Sequence, residues 1–192
     1  MEGNNIPRRA KVLVVGGGGR EHAIVDALSR SSRVEKIFCA PGNAGIARQA
    51  KCVPLEDTQV DELAEFAENE GIDLTVVGPE VSLAAGIVDE FEARGLKIFG
   101  PSRAAARIES SKDFAKELMA KYNVPTAAYR TFSDYDEALA YVDSRPYPAV
   151  IKYDGLAAGK GVVIAADRRE ADDALRSMLL DGAFGEGKVV IE

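Results

Sequence analysis

A chain of 192 residues, 46% of them hydrophobic, can bury the core of one large domain or of two small ones. The formal net charge is −7 and no stripe of basic residues with interleaved aromatics occurs, which argues against nucleic acid as a ligand. The sequence shows neither a signal peptide nor an apolar run of membrane length, and Cys39 and Cys52 do not form a Cys-x-x-Cys pair. We therefore expect a cytoplasmic protein with reduced thiols, no membrane partner and a loose polar leader at Met1–Ala10.

Strands and helices alternate along the first hundred residues. The predicted strands are Lys11–Val15, Val34–Ala40, Ile72–Val77 and Leu96–Phe99, and the predicted helices are Arg20–Ser31, Thr58–Glu70 and Ser82–Arg94. Thr58 and Asp61 suggest a capping box for the second helix. This alternation predicts an α/β domain over residues 1–100, built on a Rossmann-like parallel sheet that binds ligands at the carboxyl ends of its strands.

After Gly100–Pro101 the pattern changes. Two helices without an intervening strand, Ser102–Glu109 and Ser111–Tyr122, predict a helical linker over residues 101–123. Residues 124–192 then predict a small α+β subdomain with strands Ala127–Phe132, Ala149–Tyr153, Val162–Ala166 and Lys188–Ile191 and helices Tyr135–Ser144 and Arg169–Leu180. Because Glu192 ends an apolar strand, we expect the sequence to be a fragment.

The glycine-rich segment Gly155–Gly161 joins two of these strands, and we expect it on the central hairpin of the subdomain. Its glycines and alanines let backbone amides approach a ligand, and Lys152 and Lys160 add positive charge, which together suit a polyphosphate. A Walker loop is excluded because only three residues separate Gly155 from Gly159 where that motif needs four, no Ser or Thr follows Lys160, and the loop leads into a strand. A flexible hairpin with solvated lysines remains the alternative.

A second glycine cluster, Gly16–His22, follows the first strand. It lacks the third glycine of a dinucleotide fingerprint, and the next strand has no terminal acidic residue, so a smaller phosphorylated or carboxylated ligand suits it better. Arg20 adds a charge, whereas His22 is equally explained as a partly buried helix residue. With one histidine and two scattered cysteines, neither a Ser-His-Asp triad nor a zinc site is expected.

Two further loops lie where a parallel sheet binds its ligands. Glu80, after Gly78–Pro79, suits a ligand hydroxyl or amine, and equally a favourable charge in the first turn of a helix. Asn43, in the loop Pro41–Gly45, suits a ligand contact and is equally explained as a turn residue, because asparagine readily forms turns.

Six blocks in this order resemble one family. They are Gly16–His22, Pro41–Asn43, Val77–Glu80, Phe99–Pro101, Glu109–Phe114 and Asp154–Gly161. Together they are similar to the phosphoribosylamine-glycine ligases, or glycinamide ribonucleotide synthetases, of the ATP-grasp superfamily. The resemblance implies an ATP-dependent ligase of purine synthesis that joins glycine to 5-phosphoribosylamine through a glycyl phosphate and releases ADP and phosphate. It also implies an N-terminal domain of the type that precedes an ATP-grasp fold.

The resemblance implies roles for individual residues. The implied ATP-binding residues are Lys112, Lys152, Asp154, Gly155, Leu156, Ala157, Ala158, Gly159, Lys160, Gly161 and Glu192. The implied phosphoribosylamine-binding residues are Gly17, Gly18, Gly19, Arg20, Glu21, His22, Asn43, Pro79 and Glu80. Tyr153 and Ser82 depart from the pattern, standing where the family usually has alanine and proline.

The same resemblance implies Mg²⁺ or Mn²⁺ as the cofactor, with metal ligands and much of the glycine site in sequence after Glu192. We therefore expect no metal site and no catalytic residue within the chain, and no ligase activity from the chain alone. The alternatives are another ATP-grasp carboxylate-amine ligase and a non-catalytic module that binds a nucleotide or a sugar phosphate. A dehydrogenase is the most distant alternative.

Overall fold

The computed structural model describes residues 9–157 and 159–192. Ala158 of the predicted loop and residues 1–8 of the predicted leader lie outside the described residues. The chain folds as two compact units, with the division between Ala106 and Arg107. Within the described ranges, no helix is both long and apolar enough to cross a membrane.

The first unit is built on a five-stranded parallel sheet. Its strands are β1 (Ala10–Gly16), β2 (Val34–Pro41), β3 (Lys51–Cys52), β4 (Leu74–Val77) and β5 (Ile98–Phe99), in the order β3-β2-β1-β4-β5. Its helices are α1 (Gly19–Ser29), α2 (Val60–Glu70), α3 (Glu80–Ala85) and α4 (Ile87–Ala93). The strand order changes direction between β1 and β4, so the carboxyl ends of these two strands border the crevice where such sheets bind ligands.

Helices cover both faces of this sheet. Leu13 and Val15 on β1 share a buried cluster with Leu63 of α2 and Phe91 of α4. The opposite face belongs to a second cluster that contains Val14 and, from α1, Val25, along with Ile37, Cys39 and Ile46. Because β1 is buried on both faces, its sequence is an almost continuous apolar run.

The second unit combines helices with an antiparallel sheet. Its helices are α5 (Arg103–Ser110), which spans the division, α6 (Lys112–Lys121), α7 (Tyr135–Asp143) and α8 (Arg168–Leu179). Its strands are β6 (Arg130–Phe132), β7 (Ala149–Tyr153), β8 (Val162–Ala165) and β9 (Val189–Ile191), in the order β6-β9-β7-β8. Side chains of Ser111, Asp134 and Asp167 accept hydrogen bonds from first-turn amides and so fix the starts of α6, α7 and α8.

Only one face of the antiparallel sheet packs against the core of this unit. Ile151, Tyr153, Ala165 and Ile191 join residues of α7 and α8 in the buried cluster. The strand alternation therefore places Lys152 and its register partner Val162 on the other face. On this face Val162 of β8 is exposed, whereas Val190 of β9, the other register partner of Lys152, is buried. The free face of the sheet is therefore the part formed by β7 and β8.

The predicted fold class, a parallel α/β sheet followed by helices and a small α+β sheet, is confirmed. Three local predictions are wrong, and two short elements were not predicted. The predicted helix Ser82–Arg94 is divided at Gly86, whose φ is +94°. The capping box of Thr58 does not form, because Gln59 is the N-cap of α2 and no side chain caps that helix. The strand β3 and one turn of 3-10 helix at Ile46–Arg48 were not predicted.

The third wrong prediction concerns the hairpin that carries the glycine-rich loop. The hairpin of β7 and β8 lies at the edge of the sheet and not at its centre, because β9 inserts between β6 and β7. The chain therefore returns through the middle of the sheet after α8. As a result Glu192, the last residue, lies beside β7.

Candidate functional site

The first candidate site lies where β1 meets α1. Gly16 ends β1 with φ +116°, a conformation that favours glycine, and α1 begins at Gly19. The first amides of a helix have no partner within the helix and attract anions. Gly18 and Gly19 are exposed, so the turn presents backbone at the carboxyl end of β1.

Glu21 closes this turn from beneath. The amide of Gly18 donates a 2.6 Å hydrogen bond to Oε2 of Glu21, whose residue is only 3% exposed. The other carboxylate oxygen is buried and accepts no hydrogen bond, and it lies 3.8 Å from Nε of Arg20. A Cβ added at Gly78 would come within 2.0 Å of that oxygen, so the Glu21 side chain fills the space between the two loops. The buried Glu21 side chain therefore holds the two loops in place and does not point toward a ligand in the site.

Arg20 and Glu80 form the charged part of the first site. Nη2 of Arg20, in the first turn of α1, donates a 2.9 Å hydrogen bond to Oε2 of Glu80, in the first turn of α3. This hydrogen bond holds the pKa of Glu80 below its usual value. Both side chains remain substantially exposed, so a ligand can compete for either.

Asn43 and His22 hold the loop after β2 in place. Nδ2 of Asn43 donates to the carbonyl of Gly17 at 2.8 Å, and its Oδ1 accepts from the amides of Gly45 and Ile46. The ring of His22 packs so closely on Gly45 that an added Cβ would lie 2.7 Å from Cε1. Asn43 and His22 thus build the wall of the site.

The second candidate site lies on the antiparallel sheet. Nζ of Lys152 on β7 donates a 2.6 Å hydrogen bond to Oε2 of Glu192, which follows the neighbouring strand β9. Lys116 of α6 pairs with the other oxygen of the same carboxylate. Burial alone would raise the pKa of Glu192, but the hydrogen bonds and charges of the two lysines outweigh burial and lower it.

The start of the glycine-rich loop is fastened to α6. Asp154 accepts hydrogen bonds from the amide of Asp113 at 3.1 Å and from the hydroxyl of Ser111 at 3.3 Å. Nζ of Lys112 donates a 3.0 Å hydrogen bond to the carbonyl of Gly155. The structure therefore brings together Lys112, Asp154 and Gly155, three of the residues predicted for one site.

Asp113 extends this connection to two further segments. Its carboxylate accepts a 2.7 Å hydrogen bond from Thr131 on β6 and a 3.2 Å one from Lys188. The hydrogen bond from Thr131, together with Lys188, holds the pKa of Asp113 below its usual value. Asp113 thus links the start of α6 to β6 and to the segment before β9, a role that was not predicted from the sequence.

The outer part of the loop is open to solvent. Leu156, Gly159 and Lys160 are exposed, and Gly159 has φ +79°. Among the described residues, no side chain pairs with Lys160. Its charge is therefore available to a ligand. Gly161 returns to the sheet, where an added Cβ would lie 2.7 Å from Ala157 and 3.3 Å from Tyr153.

Tyr153 anchors the loop from below. It is 6% exposed, its ring packs on Phe184 with 5.2 Å between centroids, and its hydroxyl donates a 3.3 Å hydrogen bond to the carbonyl of Glu186. A Cβ added at Gly155 or Gly187 would come within 2.7 Å of the Tyr153 side chain. The ring therefore points into the core of the unit and fixes the glycines that flank the loop.

Beside Lys152 the free face of the sheet is apolar. Val162, the register partner of Lys152, is 45% exposed, and Ile164, the partner of Val150, is 66% exposed. A flat apolar surface next to a lysine and a glycine-rich loop suits a ligand with a planar base and phosphates.

Two family models together match nearly the whole chain. Residues 10–109 match the model described as "Phosphoribosylglycinamide synthetase, N domain", and residues 110–192 match "Phosphoribosylglycinamide synthetase, ATP-grasp (A) domain". The chain belongs to the phosphoribosylglycinamide synthetase family. The resemblance predicted from the six sequence blocks is thereby confirmed.

Relatives in this family are similar along almost the entire chain. A phosphoribosylamine-glycine ligase of Caldanaerobacter subterraneus subsp. tengcongensis is 58% identical over 182 residues, which are 94% of this chain and 44% of the relative. One from Neisseria meningitidis serogroup B is 55% identical over 184 residues, 95% of this chain and 44% of the relative. The chain thus spans less than half the length of these relatives.

Solved structures agree with this assignment. A phosphoribosylamine-glycine ligase of Thermotoga maritima matches with a TM-score of 0.72 and 31% identity, over 95% of this chain and 43% of that one. An N5-carboxyaminoimidazole ribonucleotide synthetase in its ADP complex matches with a TM-score of 0.76 and 16% identity, over 98% and 47%. At that identity the second match shows a shared fold only.

Lys116, like Asp113, is a residue of the second site that was not predicted from the sequence. It lies four residues after Lys112 on α6, yet it is 8% exposed. A lysine on a helix is normally solvated, so no local pattern distinguishes it. The only available signal was its position on the same helical side as Lys112.

Proposed function

We propose that the chain provides the phosphoribosylamine-binding domain and one half of the nucleotide site of a phosphoribosylamine-glycine ligase. The reaction transfers the γ-phosphate of ATP to the glycine carboxylate, giving ADP and glycyl phosphate. The amine of 5-phosphoribosylamine then attacks the acyl carbon, a C–N bond forms, and phosphate leaves with the former C–O bond electrons. The observation that carries the proposal is the consecutive match of both family domains over residues 10–192.

The nucleotide would lie on the free face of the antiparallel sheet. Lys112 contacts the base of the loop and Lys152 lies on the strand that leads into it, and each donates to an oxygen that a phosphate oxygen can replace. The amides of Gly155–Gly161, with Lys160, would cover the phosphates, and Asp154 would hold the base of this cover. Val162 and Ile164 offer the apolar surface on which a base can rest, with Glu192 at its border.

The sugar phosphate would bind to the first unit. The amides of Gly17, Gly18 and Gly19 at the start of α1, with Arg20, suit the phosphate group. Glu80, beside Pro79, is an acceptor for a ribose hydroxyl or for the amine, and the hydrogen bond from Arg20 orients its carboxylate and lowers its pKa. Asn43, His22 and Glu21 maintain the loops that shape this pocket.

Magnesium is the cofactor that this reaction class normally needs to neutralise charge between phosphates. Within the described ranges, no group of three or more histidine, cysteine, aspartate or glutamate side chains is placed to hold a metal ion. The described residues therefore do not fit a magnesium site of their own. Their contribution is binding and orientation of the nucleotide and of the sugar phosphate.

The test is substrate dependence in the full-length protein encoded by the gene. Phosphate release should require ATP, glycine and 5-phosphoribosylamine together, and mass spectrometry should detect glycinamide ribonucleotide. Alanine, formate and bicarbonate replace glycine in parallel reactions, because another ATP-grasp ligase would use a different carboxylate. Phosphate release that is independent of glycine, or that prefers one of these acids, would overturn the proposal.

A further inference from the structure

Lys116 is a buried cation in the middle of the second unit. Its residue is 8% exposed, and its Nζ has three acceptors: Glu192, the hydroxyl of Thr126 at 2.6 Å and the carbonyl of Ala127 at 3.3 Å. An ammonium group has three N–H donors, so these acceptors use all of them. Lys116 is therefore fixed in position and has no donor left for a ligand.

Lys152 is held much more loosely. Its side chain is 26% exposed, and among the described residues its Nζ has one acceptor, Oε2 of Glu192. The two lysines thus share a single carboxylate, which leaves one positive charge in excess. Because Lys116 cannot move, the excess charge belongs in practice to Lys152.

Lys116 and Lys152 compete for the carboxylate of Glu192, and this competition determines how strongly Glu192 binds Lys152. A carboxylate shared with a second buried cation attracts Lys152 less than a carboxylate that pairs with it alone. Without Lys116, Glu192 and Lys152 would form a neutral pair in a partly desolvated place, where the attraction between opposite charges is strong. A phosphate would then have to break that pair before it could use the lysine.

We propose that Lys116 is a positioning residue for the nucleotide: it neutralises Glu192 and so keeps the charge of Lys152 available to polyphosphate. The inference rests on the proposed function in one respect, namely that Lys152 contacts the phosphates of ATP. It adds to that site a residue that does not contact the nucleotide, because Lys116 acts only through Glu192. It also explains why a helix buries a lysine beside the last strand of this sheet.

The test is a double-mutant cycle on ATP affinity in the full-length protein. Calorimetry measures the Kd for ATP in the wild type, in Lys116→Met, in Glu192→Gln and in the variant with both substitutions. Lys116→Met should weaken ATP binding about tenfold in the wild-type background. In the Glu192→Gln background the same substitution should change Kd less than about threefold, because no carboxylate remains to be neutralised.

Three controls separate this role from a structural one. Lys116→Arg keeps the charge and should retain wild-type affinity, and the KM for glycine should stay unchanged in every variant. If Lys116→Met does not fold, as judged by thermal unfolding, Lys116→Gln is used because it keeps donors without the charge. Equal effects of Lys116→Met in both backgrounds would overturn the inference, as would an unchanged Kd.

The outcomes also distinguish this inference from the proposed function. If the wild type binds ATP and ligates glycine but the cycle shows no coupling, only the role of Lys116 fails. If the wild type neither binds ATP nor releases phosphate with glycine, the proposed function fails and the inference fails with it.

Discussion

Arg20 and Glu80 stand 60 residues apart in the sequence and join the ends of β1 and β4 by a 2.9 Å hydrogen bond. The two strands are neighbours at the point where the sheet changes direction, so the pair marks the crevice of the first unit. Neither residue is buried enough for the pair to matter greatly for folding. Its main consequences are the orientation of the Glu80 carboxylate and the lowered pKa of that group.

Replacing Arg20 should change the titration of Glu80. The hydrogen bond from Arg20 lowers the pKa of Glu80, so in Arg20→Met that pKa should rise toward its usual value of 4.5. A lowered pKa in the folded state gives stability that is present above the usual pKa and is lost as the pH falls through the folded value. NMR titration of the Glu80 carboxyl measures the change.

Arg30→Met is the matched control for this titration. Arg30 is 70% exposed in its side chain, against 67% for Arg20, and pairs with Asp26 instead of Glu80. It should leave the titration of Glu80 unchanged. In the full-length protein Arg20→Met should also raise the KM for 5-phosphoribosylamine about tenfold or more with little effect on that for ATP, and a pure ATP effect would contradict the assignment of the first site.

Asp154 should prove important for both stability and nucleotide binding. Asp154→Ala removes the acceptor for the amide of Asp113 and the hydroxyl of Ser111, which should cost about 1–2 kcal/mol of unfolding free energy. Because the base of the loop is released, ATP affinity of the full-length protein should also fall. Chemical denaturation and calorimetry measure the two effects.

Asp134→Ala separates the two effects of Asp154→Ala. Asp134 caps α7 by accepting a 2.9 Å hydrogen bond from the amide of Glu137, away from the loop. Its loss should lower the unfolding free energy by a similar amount, about 1 kcal/mol, and leave the Kd for ATP unchanged. If both variants weakened ATP binding equally, the loop would owe its position to overall stability and not to Asp154.

Most of the fold follows from local sequence patterns. The strand β7 occurs at Ala149–Tyr153, as its apolar, β-branched sequence predicts, and the helices begin and end within a few residues of their predicted bounds. Two-residue strands such as β3 leave no periodic signal. The break at Gly86 was missed because a glycine within a helical pattern usually only weakens a helix, whereas here Arg103 packs against it and donates to the carbonyl of Ala85.

The candidate sites were predictable only in part, because only some of their residues belong to a local sequence pattern. The glycine turns and Lys152 stand out in sequence because glycines and a lysine at strand ends have a direct chemical meaning. Lys116 and Asp113 became part of the second site because β9 returns to the middle of the sheet and brings Glu192 and Lys188 to them. Contacts that depend on such a distant strand cannot be deduced from the spacing of residues on one helix.

Tyr153 should contribute strongly to the stability of the second unit. Tyr153→Ala removes a buried ring that packs on Phe184 and on the glycines beside the loop, at a cost of about 3–5 kcal/mol of unfolding free energy. Tyr153→Phe loses only the 3.3 Å hydrogen bond to Glu186 and should cost about 1 kcal/mol or less. Denaturant unfolding measures both, and equal losses would mean that the hydroxyl, not the ring, anchors the loop.

Gly187→Ala tests the same packing from the opposite side. An added methyl group would lie 2.7–2.9 Å from atoms of the Tyr153 ring and hydroxyl, so the variant should lose about 1–3 kcal/mol. In the Tyr153→Ala background the ring is absent and the additional loss should largely disappear. Additive losses in the double variant would contradict a direct contact.

Cys39 should resist alkylation in the folded protein, in contrast to Cys52. Burial, with the nearby Cys52 and Glu21, raises the pKa of Cys39 to about 12, so at pH 8 only about one thiol in ten thousand is a thiolate. Cys52 is partly exposed and should react first with iodoacetamide. Mass spectrometry of peptides after timed labelling separates the two sites, and labelling of both should become fast in denaturant.

The raised pKa of Cys39 also has a consequence for stability at alkaline pH. Between the usual thiol pKa of 9.0 and the folded value of about 12, the unfolded chain loses this proton and the folded protein keeps it. The contribution of Cys39 to stability is therefore complete below pH 9 and decreases as the pH rises. Cys39→Ala should flatten this part of the stability profile, whereas Cys52→Ala should not, and identical profiles for wild type and Cys39→Ala would show that the thiol is not held in its neutral form.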